Sequence, residues 1–153
     1  SITDIDRLGA DPNNIYALSS ISGEEHHVQQ GSDGKVYIQT SSDALSLHEI
    51  AHVRQSLDAG GLKFSPEGLL YNAGISSPMS IRYERVSGME VEAYQIQYSY
   101  DLSFPGRLYG QGMKGIDVHS VGNIRNSAGK FVYPFINDYS KFLKKQQKIT
   151  GGN

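Results

Sequence analysis

The chain has no cysteine. Disulfides and thiolate metal ligands are therefore excluded, and any metal must be held by nitrogen and oxygen. An excess of charge of one sign is also missing, because 14 Lys and Arg against 16 Asp and Glu leave a formal net charge of −2. No overall positive field exists to gather nucleic acid or an anionic membrane surface. No apolar run approaches the roughly 20 residues that a membrane-spanning helix requires. Ser1-Ile2-Thr3-Asp4 lacks the basic and apolar regions of a secretory signal. Internal repeats, low-complexity blocks and a linker are absent as well, so residues 1–153 read as a single domain with no membrane span.

What is present is a globular composition: 153 residues, 38% hydrophobic and 20% charged, with ten tyrosines along the chain. That size buries a core without covalent staples. Ser1 in place of methionine reads as the start of a processed or excised domain. Asp11-Pro12-Asn13-Asn14 predicts a loop, followed by a short apolar segment around Ile15 to Leu18. From Glu25 to Thr40 the pattern is a hairpin, with His27-Val28-Gln29 and Val36 to Thr40 flanking the turn residues Gly31-Ser32-Asp33-Gly34. Ser41-Ser42-Asp43 then supplies N-cap oxygens and a negative charge, and the helix runs from Ser42 to Ala59, where Gly60-Gly61 stops it.

Gly61 to Pro78 reads as a loop or lid-like excursion anchored by Leu69 and Leu70. A second helix is expected over Ile81 to Tyr98, weakened near its start by Ser87-Gly88. The glycine-rich stretch beyond Tyr100 holds strand-like runs at Gly115 to Val121 and Lys130 to Tyr133. A last helix, Ile136 to Gln147, places Tyr139, Phe142 and Leu143 inward, while Lys141, Lys144, Lys145 and Lys148 read as a solvated face.

The residues that carry chemistry lie on the first helix. His48 and His52 are four apart, so they project from one face with Cβ atoms about 5–6 Å apart and reach one ion together. Such a pair fills two corners of a zinc tetrahedron without bending the backbone, and Glu49 stands where a general base for a metal-activated water belongs. A catalytic zinc normally has three protein ligands and one open position. The second helix offers Glu90 and Glu92, which point about 200° apart, so only one of them faces the ion. His26 and His27 are discounted as a chelating pair because adjacent strand residues face opposite sides. The serines lack a nucleophile elbow, and Gly110 to Gly115 misses the phosphate-loop spacing.

His48-Glu49-x-x-His52 followed by Glu90-Val91-Glu92-Ala93 resembles the gluzincin zinc metallopeptidases. The resemblance implies an α+β, zincin-like fold, with the active-site helix beside a small antiparallel sheet and a second ligand-bearing helix. It makes His48, His52 and Glu90 the Zn2+ ligands, keeps Glu92 as the alternative, and makes Glu49 the catalytic base. Tyr94 stands where the family usually has an aspartate that orients the first histidine, so support of His48 falls to Tyr94 or another residue. The strand Val36 to Thr40 suits the group's edge strand, which pairs with an extended protein or peptide substrate. His119 is the leading candidate to stabilise the oxyanion, with Tyr83, Tyr109 and Tyr133 behind it and an ordinary surface or core histidine as the plainer reading.

Size and the glycine-rich end look most like the compact metallopeptidase domains at the ends of bacterial polymorphic toxins. That likeness implies a secreted or delivered domain, the C-terminal part of a larger protein, with a cognate inhibitor (immunity) protein as partner. Three functions follow as expectations: a zinc endopeptidase, a zincin-like binding module that holds metal without cleaving, and a secreted antagonist.

Overall fold

A computed structural model describes residues 4, 5, 8, 16–21, 26–66, 68–70 and 78–149. The chain forms two compact units, Ser1–Asn72 with Glu92–Ser103, and Ala73–Val91 with Phe104–Asn153. Among the described residues no helix is long and apolar enough to cross a membrane. The expected loop at Asp11 to Asn14 lies outside the described residues, as do Ile15 and Glu25.

In the first unit, β1 (Tyr16–Ser20), β2 (His27–Gln30) and β3 (Val36–Thr40) form one sheet in the order β1-β3-β2. The predicted hairpin is present, with Val28 opposite Ile38 in antiparallel register and Gly34 at a positive φ of 82° in the turn. Two expectations are corrected. β1 runs parallel to β3, so the sheet is mixed and not purely antiparallel. Val36–Thr40 is also the central strand and not an edge, since both of its sides are hydrogen-bonded. The apolar segment before His27 supplies the third strand, and local periodicity carries no information about which neighbour a strand will choose.

Helix α1 (Asp43–Asp58) begins as predicted: the Ser42 side chain accepts a hydrogen bond from the Leu45 amide. Ile50 and Val53 pack with Leu8, Val28, Val36 and Ile38 into one core cluster. Because residues three and seven apart share a helix face, this sheet-facing stripe leaves His48 and His52 on a different side of α1. That side is buried too, so the middle turns of α1 are enclosed almost all round. The segment after Gly61 is more ordered than a loop, with a short antiparallel pair, β4 (Phe64–Ser65) and β5 (Gly68–Leu69). Gly68 has φ 128°, and a Cβ there would come within 3.0 Å of the Val28 carbonyl oxygen, so both its conformation and its surroundings call for glycine. Residues 71–77 lie outside the described set.

Helix α2 (Met79–Asp101) is continuous through Ser87-Gly88, and its residues are shared between the two units. Ser87 Oγ donates to the Tyr83 carbonyl at 2.6 Å, which turns the expected weak point into an internal contact.

In the second unit, the predicted strand at Gly115 to Val121 is instead a 3-10 turn (Gly112–Gly115) followed by α3 (Val118–Gly122). The cause is a capping box: Asp117 accepts from the Ser120 amide while Ser120 Oγ accepts from the Asp117 amide. The run Lys130 to Tyr133 forms only an isolated bridge, Arg125 to Phe131. Helix α4 (Pro134–Ile149) packs on α3 through Ile136 and Asn137, whose Nδ2 donates to the Gly122 carbonyl at 3.0 Å. A Cβ on Gly122 would lie 3.1 Å from Ile136 Cγ2, so this packing is close. The lysines of α4 are exposed as expected. Phe142 and Leu143 are exposed as well, which corrects their predicted inward placement.

Candidate metal centre

His48 and His52 occupy successive turns of α1 and are 2% and 0% exposed. Their Nε2 atoms lie 3.1 Å apart, with the rings edge to face. Tyr94, on α2, packs its ring against the His48 imidazole with centroids 4.4 Å apart. Glu90 precedes Tyr94 by one turn of the same continuous helix, which carries its buried carboxylate to the two imidazoles. Ligand atoms of His48, His52 and Glu90 all lie within 4.8 Å of one another. Donors around a tetrahedral zinc with bonds of about 2.0–2.1 Å sit about 3.3 Å apart, so small side-chain adjustments close the set on one ion.

The donor set fits a cation on energetic grounds as well. Two imidazoles and a carboxylate enclosed in protein lose most of their hydration, and a divalent ion compensates all three at once.

Around these three, further side chains fix orientation. His52 Nδ1 is 2.9 Å from Gln55 Oε1, an arrangement in which the Nδ1–H tautomer donates to the amide and directs the Nε2 lone pair at a metal. Gln55 Nε2 in turn donates to Glu92 Oε1 at 2.8 Å, and Arg54 donates to the same oxygen. Arg54 also pairs with Asp4 at 3.0 Å and, more loosely, with Asp58 at 3.7 Å. Burial acts to lower the Arg54 pKa, but hydrogen bonding and charge from Glu92 and Asp4 more than offset it and hold the guanidinium above its ordinary value. Tyr133 donates to Glu90 Oε2 at 2.9 Å.

The two glutamates are thereby separated in role: Glu90 joins the histidines, while Glu92 is held by Arg54 and Gln55. Tyr94 touches His48 through its ring, Tyr133 hydrogen-bonds the ligand Glu90, and the side chain that hydrogen-bonds the ligand His52 is Gln55. Its signal in the sequence was its position three residues after His52, on the same helix face.

Glu49 is buried next to the ligands, and His26 Nε2 lies 3.2 Å from its Oε1. The alternation that denies His26 and His27 a joint chelate lets His26 face a different partner from His27. His119 is exposed on α3 and lines a cavity of about 710 Å3 in the second unit with Arg107, Asp117 and Arg125. It is not part of the metal-ligand group. Of the tyrosines considered with it, Tyr83 bonds Ser140 Oγ at 2.7 Å and Tyr109 is 82% exposed, so Tyr133 is the one seen to bond a member of the group.

Fold and site together define an α+β protein with a buried His-His-Glu group able to hold a metal ion. Comparison of the chain with models of known families, with curated proteins and with solved structures gives no match.

Replacing Gln55 with alanine should weaken metal affinity by about 10–100-fold, the usual cost of losing a group that orients a ligand histidine. Competition against a chromophoric chelator measures this, and unchanged affinity would show that the Gln55 contact does not set the His52 tautomer.

Proposed function

We propose that the protein is a zinc-dependent peptidase of zincin-like architecture. The observation that supports this most is the meeting of His48, His52 and Glu90 around one point, with Glu49 buried beside them. His48 Nε2, His52 Nε2 and a Glu90 oxygen would hold the ion, leaving a fourth position for water or substrate. When bound, zinc polarises a scissile carbonyl and lowers the pKa of coordinated water toward about 7.

The remaining work falls to the chain's own residues. Glu49, next to the first ligand but not grouped with it, takes the proton of the attacking water and returns it to the leaving amine. Gln55, anchored by Glu92 and Arg54, keeps His52 in its ligating tautomer. Tyr133 orients the Glu90 carboxylate through Oε2. Enclosure of the histidines limits competing water and raises the strength of each polar contact.

Protein purified in the presence of zinc should carry one equivalent of the metal and cleave members of a broad peptide library, with cleavage stopped by a chelator and restored by zinc. One bound zinc with no cleavage of any peptide would leave a metal-holding binding module instead.

A further inference from the structure

We propose that His26 is a positioning residue for Glu49, an inference that rests on the peptidase reading above. His26 immediately precedes β2, and its Nε2 lies 3.2 Å from Glu49 Oε1, with the two side chains 30% and 10% exposed. The alternation along a strand, which rules out His26 and His27 as a chelating pair, leaves His27 exposed and turns His26 to the centre. The His26 imidazole also stands edge to face with that of His48, centroids 6.1 Å apart. It stands outside the converging metal group, which among the described residues comprises His48, His52 and Glu90.

Both ends of the contact are anchored. Val28, two residues after His26, and Ile50, adjoining Glu49, belong to the same core cluster, so packing sets the separation of the two backbones. A glutamate has three side-chain torsions, and a general base performs only when its accepting oxygen is held at the proton it removes. With its proton on Nε2, His26 donates to Oε1, which restricts those torsions and assigns Oε2 as the accepting atom. The structure thus places the base under the control of a strand that precedes it in sequence by more than twenty residues.

The test compares wild type, His26→Ala, His26→Gln and His27→Ala, each loaded with zinc. Glutamine keeps an N–H donor near the place of Nε2, and His27→Ala controls for general damage to β2. Five quantities are read: zinc stoichiometry, binding of azide, binding of acetohydroxamate, and kcat and KM on a cleaved peptide. Azide needs only the metal, whereas acetohydroxamate also needs a carboxylate beside the metal to accept its proton. In His26→Ala, zinc content and azide affinity should stay within about twofold, while acetohydroxamate binding and kcat fall about 10–100-fold and KM changes little. His26→Gln should recover most of both losses, and His27→Ala should match wild type.

Wild-type acetohydroxamate affinity in His26→Ala would overturn the proposal, as would loss of zinc in that variant or no recovery by glutamine. If wild type binds zinc and acetohydroxamate but cleaves no peptide, the peptidase reading fails by itself, and the acetohydroxamate comparison still decides whether His26 positions Glu49. A wild-type protein that binds no zinc overturns both.

Discussion

Glu49→Gln should bind zinc as the wild type does and hydrolyse peptides about a thousandfold more slowly, within the span of roughly 10²–10⁴ that general-base catalysis contributes. The substitution is nearly isosteric. It keeps an acceptor oxygen for His26, whose Nε2 is 3.2 Å from Oε1, and it removes only the capacity to take a proton. Glu49 lies outside the converging ligand set, so metal content should not change. The measurement is zinc by elemental analysis together with single-turnover cleavage of a peptide found by library screening. Undiminished cleavage would remove Glu49 from the mechanism, and loss of zinc would mean that Glu49 is itself a ligand.

The second large effect is thermodynamic. A ligand that binds only the folded state stabilises it by about 4 kcal/mol at a thousand times its dissociation constant, and for a chain of this size that raises Tm by roughly 10 °C. Zinc should therefore raise the wild-type Tm by about that amount, and EDTA should reverse it. In His52→Ala the rise should disappear. Because His52 is fully buried at the centre of α1, the substitution also opens a cavity and lowers the Tm in the absence of metal. The informative quantity is accordingly the difference between zinc and EDTA within each variant, read by calorimetry. An equal rise in wild type and His52→Ala would place the metal elsewhere.

Local signals read well wherever a short-range interaction governs. Ser42 as N-cap, Gly60-Gly61 as stop, the turn at Gly31 to Gly34 and the hairpin itself all depend on neighbours within a few residues. The difference at Gly115 to Val121 is also local: the Asp117 and Ser120 capping box makes a helix of the strand-like run. The exposed Phe142 and Leu143 are a different case, because periodicity identifies an apolar face without saying whether anything covers it.

At the metal group the division falls between one helix and two. That His48 and His52 share a face, and that Glu49 stands beside that face and not on it, follows from the pitch of a helix and was determined by the sequence alone. The identity of the third donor was not, since Glu90 and Glu92 differ only in which way α2 is turned about its axis. Long-range packing decided that rotation, through Tyr94 on His48 and through Arg54 and Gln55 on Glu92. The approach of His26 to Glu49, the bond from Tyr133 to Glu90 and the parallel pairing of β1 with β3 have the same origin. Each joins residues far apart in the chain, where the free energy that selects one partner over another comes from the whole packed core and leaves no trace in the spacing of the residues themselves.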